Sequence, residues 1–205
     1  MYKIYFLDRC LQLGAAKEES SSLPTLELLD KTALLSFIQQ WLKDEKRQDL
    51  ILKGYKAKKM YRHLKEGLSY VKAAGGVVRN RKRQVLFIKR WGIWDLPKGK
   101  KEKSETIENC ALREVQEETG VDKLSLKTSL PSSYHIYFHR GEPILKKTYW
   151  FLMETDFEGE LSPQQEEDIS QALWLDQEAC REALQQSYRS LREFLEESIC
   201  NLEKF

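Results

Sequence analysis

The 205-residue chain has no apolar run approaching the ~20 residues that a membrane-spanning helix requires. Its opening stretch, MYKIYFLDRC, places Asp8 and Arg9 where a secretory leader would keep its apolar segment. A cytoplasmic protein with no membrane partner is therefore expected. Cysteine is scarce, and Cys10, Cys110, Cys180 and Cys200 form no Cys-x-x-Cys pair, which argues against both a zinc centre and a disulfide framework. The three histidines, His63, His135 and His139, also lie outside any metal-ligand spacing. An excess of one charge is missing too: 34 basic residues face 32 acidic ones. By segment, residues 1–70 carry 13 basic and 9 acidic groups, 71–175 carry 17 and 16, and 176–205 carry 4 and 7. None of these is the charge of a dedicated nucleic-acid binder. What remains is a chain with 41% hydrophobic residues and five tryptophans, enough for a real core.

Residues 1–70 read as a small α+β domain. A hairpin over residues 1–13 precedes the Gly/Ser/Pro-containing loop GAAKEESSSLP. Asp30 then caps a helix whose stripe is Ala33, Leu34, Phe37, Ile38, Trp41 and Leu42. A strand at 49–52 and a short helix at 58–65 complete it. From Val71 the pattern changes to strands at 73–78 and 84–89 around the polar turn 79–83, with further strands at 124–127, 134–139, 147–154 and 172–174. A single helix is expected over 177–202, with Leu184, Tyr188, Leu191, Leu195 and Ile199 on one face. Strands around one strongly helical central segment predict an α/β layered domain over residues 71–205.

The central segment is GKKEKSETIENCALREVQEETGV, Gly99 to Val121. Ser104 is the expected N-cap, Glu105 and Glu108 suit the positive end of the dipole, and Gly120 is a C-terminal stop. The helix is thus expected over about 105–119. Ile107, Cys110, Ala111, Glu114, Glu117 and Glu118 fall on one stripe, small and apolar at the start and acidic at the end. Like charges on neighbouring turns repel, and repel more when partly dry. A hard divalent cation compensates for such crowding, because Mg²⁺ or Mn²⁺ takes oxygen ligands from carboxylates, phosphates and water. A solvated acidic face is the alternative reading of the same residues.

Gly99, five residues, Glu105, seven residues, and then Arg113-Glu114-Val115-Gln116-Glu117-Glu118-Thr119-Gly120-Val121 together resemble the complete Nudix box. The resemblance extends more loosely over residues 71–202 and does not cover 1–70. It implies a Nudix-type α/β/α sandwich with a mixed sheet for that part of the chain, behind the small α+β domain read from residues 1–70. It also implies Mg²⁺- or Mn²⁺-dependent hydrolysis of a nucleoside diphosphate linked to another moiety. In the family, carboxylates matching Glu114, Glu117 and Glu118 bind metal or activate water, and the glycine matching Gly99 offers its carbonyl to the metal. The residues matching Glu105 and Arg113 pair to brace the loop against the helix. A carboxylate outside the box often joins them; Asp168 best matches that position, with Glu167 second.

For the substrate, RWGIWDLPKGKKEK brings Trp91, Trp94 and the lysines Lys98, Lys100, Lys101 and Lys103 near Gly99. The WDLPKG run resembles the dinucleoside-polyphosphate and diphosphoinositol-polyphosphate branch of the family, which implies a polyphosphate held by lysines and an adenine stacked on Tyr137 or Tyr134. Lys146 or Lys147 would add phosphate contacts. The basic run Lys53, Lys56, Lys58, Lys59, Arg62 and Lys65, interleaved with Tyr55, Tyr61 and His63, reads either as a phosphate or RNA contact or as a solvated helix face. Small nucleotides are the leading substrates, capped RNA stays among the candidates, and a homodimer is compatible with the apolar helix of the first domain. The rival function is a ligand sensor built on a catalytically idle Nudix fold.

Overall fold

The computed structural model describes residues 1–14, 23–44, 46 and 48–199. Most of the expected GAAKEESSSLP loop, and also Cys200, fall outside these residues. The chain divides into two compact units, Met1–Val71 with Tyr134–Lys147, and Lys72–Ser133 with Thr148 onward.

In the first unit, β1 (Tyr2–Phe6) and β2 (Arg9–Leu13) form the antiparallel hairpin, turned through Leu7 at φ 54°. β3 (Thr25–Glu27) and β4 (Leu50–Lys53) extend it in parallel, β2 to β4 to β3. The helix α1 (Lys31–Lys43) starts at Asp30, whose carboxylate accepts from the Ala33 N–H at 2.8 Å. Its stripe of Leu34, Ile38 and Trp41 is fully buried against Ile4, Leu11, Leu13 and Leu52. The second helix, α2 (Ala57–Gly67), contributes Met60 and Leu64 to the same core. A segment distant in sequence completes this unit: Tyr134 and His135 pair in parallel with Ile4 and Tyr5, and Ile136 and Leu145 join the core.

The second unit is built on β6 (Val85–Arg90), β11 (Ile169–Leu175) and its shares of β5 (Ser69–Arg79, from Lys72), β9 (Ser125–His139, to Ser133) and β10 (Glu142–Glu154, from Thr148), in the spatial order β11-β6-β5-β10-β9. The short strands β7 (Ile93–Asp95) and β8 (Lys98–Lys100) attach to β6 and β5. Alternation along the strands sends successive side chains to opposite faces. Val78, Leu86, Phe151 and Met153 pack with Cys110, Ala111 and Val115 of α3 (Ile107–Thr119). Their neighbours Val77, Phe87, Trp150 and Leu152 pack with residues of α4 (Gln177–Gln185) and α5 (Arg189–Ile199). Helices on both faces of the sheet make the α/β/α sandwich of a mixed-sheet α/β fold.

Three expectations are corrected. The two strands expected at 124–127 and 134–139 are one strand of 15 residues, β9. The terminal helix is broken at Gln186–Tyr188, where Ser187 bridges Trp94 of β7 and the Trp94 N–H donates to the Gln186 carbonyl at 3.4 Å. Helix α3 begins two residues later than expected, because the Thr106 hydroxyl, rather than Ser104, accepts from the Asn109 N–H at 3.1 Å.

Candidate active site

Helix α3 ends at Gly120, whose φ of 75° is a left-handed conformation that glycine adopts without steric cost. Its inner face carries Cys110, Ala111, Val115 and Thr119 into the core, and Glu118 lies on that face at 1% exposure. A buried carboxylate requires partners. Oε2 of Glu118 accepts the Lys98 backbone N–H at 2.8 Å, and Oε1 lies 4.0 Å from Arg90 Nη1. Burial pushes the Glu118 carboxyl up to about 7, against the pull of Lys98 and with the help of Asp95 and Glu114. Burial also raises Glu114; Arg113 opposes the rise, and the charges of Glu117 and Glu167 add to it.

Glu114 sits directly over Gly99. A Cβ at position 99 would come within 1.8 Å of Glu114 Oε2, so only glycine leaves the carboxylate its place. Gly99 is fixed by β8, which pairs with β5 at Ala74. Glu105 and Arg113 form a two-point ion pair, Nε to Oε2 at 3.0 Å and Nη2 to Oε1 at 2.8 Å. Arg113 also donates to the Lys100 carbonyl at 3.2 Å, so one guanidinium ties the turn before the helix to the helix itself. The Arg113 bonds, together with the Glu102 N–H, hold the Glu105 carboxyl down at about 2.

Glu117 is not brought into the Glu114–Glu118 pair. It lies about 100° round the helix from Glu118, its side chain is 48% exposed, and it meets Arg113 Nη1 at 2.7 Å. Among the described residues no group of three His, Cys, Asp or Glu side chains gathers as a ready-made metal site. Asp168 is turned towards Trp91, whose indole N–H donates to Oδ2 at 2.9 Å. Its neighbour Glu167 is held by Arg90 Nη2 at 2.7 Å, and Glu167 is the residue whose charge reaches Glu114.

The expected substrate residues divide. Trp94 is 9% exposed and packs in the core with Val77, Phe87 and Leu96, with the Lys89 ammonium 5.2 Å from its ring centroid. Lys98 is drawn 2.8 Å from Asp95 with both side chains 14% exposed, so its ammonium already has a counter-ion. Burial would lower Lys98, but Asp95 and Glu118 outweigh it and leave the amine raised. Lys100 is exposed beside the site. Tyr137 and Lys147 belong to the first unit, where Lys146 lies over the Tyr137 ring and Lys147 over Tyr134. Sequence reasoning missed Arg90 and Asp95. Arg90 lies between Glu118 and Glu167, and its Nε is a buried donor with no acceptor. An arginine at a strand end carries no spacing signal that could have flagged it.

The carboxylates of Glu114 and Glu118 suit a divalent cation: Glu114 sits over Gly99 with Oε1 2.8 Å from Arg113, Glu118 accepts from the neighbouring Lys98 N–H, and burial disfavours the charge on both. Mg²⁺ typically uses one or two carboxylates and takes its other ligands from phosphate and water.

Comparison with known proteins places the fold. Sequence relatives include an RNA pyrophosphohydrolase of Actinobacillus succinogenes, 33% identical over 92 residues that cover 39% of this chain and 47% of the relative. An 8-oxo-dGTP diphosphatase of Proteus vulgaris is 33% identical over 95 residues, covering 43% of this chain and 80% of the relative. The chain spans about half the length of the RNA pyrophosphohydrolases it matches. Among solved structures, the Ap4A hydrolase of C. elegans in a binary complex shares the fold at 21% identity and a TM-score of 0.51, covering 66% of this chain and 99% of that one. The family model for the NUDIX domain matches residues 69–197, and the chain belongs to the Nudix family.

Proposed function

We propose that the protein hydrolyses a phosphoanhydride bond in a nucleoside diphosphate linked to a further group, with Mg²⁺ or Mn²⁺ as cofactor. The observation that carries this reading is the carboxylate of Glu118, 1% exposed and bonded to the Lys98 N–H, one helical turn from Glu114, which sits over Gly99. Such an arrangement is costly to the fold unless a ligand offsets it. The names of the relatives, RNA pyrophosphohydrolase and 8-oxo-dGTP diphosphatase, support a phosphoanhydride substrate.

Glu114 and Glu118 would hold the cation, with Gly99 supplying a backbone carbonyl. When bound, the metal neutralises phosphate charge and polarises the anhydride. Arg113, locked to Glu105, keeps the Gly99 turn against α3 and so sets the distance between the carboxylates and an incoming phosphate. Arg90 screens Glu118 and Glu167 from each other. Glu167, rather than Asp168, would be the carboxylate outside the helix that takes the proton of the attacking water, because it shares Arg90 with Glu118 whereas Asp168 accepts the Trp91 indole N–H. The bridging oxygen then leaves with one phosphate, and water supplies the new oxygen on the other.

The test is a panel of diadenosine polyphosphates, ADP-ribose, nucleoside triphosphates, diphosphoinositols and 5′-capped RNA, each with and without Mg²⁺ or Mn²⁺. Metal-dependent release of a phosphorylated product from one class is expected, and Glu118→Gln should lower it by roughly 100-fold or more, beyond the loss typical of a supporting residue. A Glu118→Gln protein with full turnover would remove that residue from the cation site. Wild-type protein inert on every compound yet stabilised by one of them would instead indicate a ligand sensor.

A further inference from the structure

Two tryptophans three residues apart meet opposite fates. Trp94 is in the core, whereas Trp91 is 66% exposed. Leaving a large apolar ring in water forgoes the gain of burying it. Trp91 also has φ 50°, a left-handed conformation that is strained for a bulky L-residue. Asp168, opposite it, is left-handed as well at φ 59°. Two hydrogen bonds clasp these residues together: the Trp91 backbone N–H to the Asp168 carbonyl at 3.3 Å, and the indole N–H to Oδ2 at 2.9 Å.

The indole is therefore oriented without being buried. The Arg90 guanidinium lies 4.6 Å from its ring centroid, within the range of a cation–π contact. That same guanidinium is 2.7 Å from Glu167 and 4.0 Å from Glu118, so the ring stands one side chain away from the acidic cluster. The clasp alone does not explain an indole here, since any side chain with an N–H donor could reach Asp168. A rigid, open aromatic plane beside a phosphate site does explain it: its freedom is already lost, so a base that stacks there loses little more on binding.

Building on the proposed function, we infer that Trp91 is a nucleobase platform, stacking the base of the nucleotide whose phosphates reach Glu114 and Glu118. The test uses the full chain with Mg²⁺ and two probes that resist hydrolysis, α,β-methylene-ADP and methylenebisphosphonate, which differ only by the nucleoside. Calorimetric titration reads the ratio of their affinities. Trp91→Phe and Trp91→Leu both lose the indole N–H and loosen the clasp equally, but only phenylalanine keeps a ring. Phenylalanine is expected to retain most of the wild-type nucleotide preference, and leucine to lose it by roughly 10-fold or more. Equal ratios in the two variants, or a wild type that binds both probes alike, would overturn the platform. If the ratio depends on the ring while no phosphoanhydride is cleaved, the platform stands and the hydrolase reading fails.

Discussion

Glu118 is where the fold carries the clearest electrostatic burden. An unfolded glutamate titrates near 4.5 and the folded residue near 7. Between those values the native state holds a proton that the unfolded chain has released. The metal-free protein therefore gains stability as pH falls through 7, and the gain is complete near 4.5, with about 3 kcal/mol from this group. Glu105 has the opposite sign: held at about 2 by Arg113, it contributes stability above 4.5 that is lost as pH falls towards 2. Urea midpoints of the metal-free protein should therefore rise between pH 8 and about 5 and decline in stronger acid. Glu118→Gln should flatten the first limb and be the more stable protein at pH 8; a wild-type midpoint that instead rose towards pH 8 would contradict the burial of a reluctant carboxylate. Gly99→Ala acts on the same cluster by geometry. Its Cβ displaces only the flexible end of Glu114, so the melting temperature should change little while Mg²⁺ affinity falls by roughly 10- to 100-fold.

At the scale of the element, α3 is a helix that its own sequence specifies closely. Gly120 stops it, and the spacing of Cys110, Ala111 and Val115 sets its buried face. Its first residue was less legible, because Ser104 and Thr106 are both good caps and only the path of the preceding turn decides between them. Thr106→Ala should cost about 1 kcal/mol, near 2–4 °C in melting temperature, while Ser104→Ala should cost almost nothing; the reverse order would restore the earlier start. The ion pair that binds this helix to its turn predicts a larger effect. Arg113→Ala strips Glu105 and the Lys100 carbonyl of their charged donor and should destabilise by about 2–3 kcal/mol, measured by chemical denaturation.

For the whole molecule, ligand linkage gives the broadest test. A cation bound only by the native state at 100 times its Kd adds about 2.7 kcal/mol, so Mg²⁺ or Mn²⁺ should raise the calorimetric transition and Glu118→Gln should abolish the increment. No helix among the described residues is long and apolar enough to cross a membrane. The α/β layering and the helix bearing the acidic stripe were readable from residue order, since period and capping are local properties. The placement of Tyr134–Lys147 in the first unit was not, because parallel pairing with Ile4 and Tyr5 depends on residues some 130 positions away. Residue order alone thus determined that Glu114, Glu117 and Glu118 share one stripe of the helix, and the resemblance set Gly99 beside them. Packing decided which of those groups is dry, which arginine stands between the acids, and which tryptophan is left in water. Burial and the fields it creates are set by neighbours across the sheet, and no local pattern encodes them.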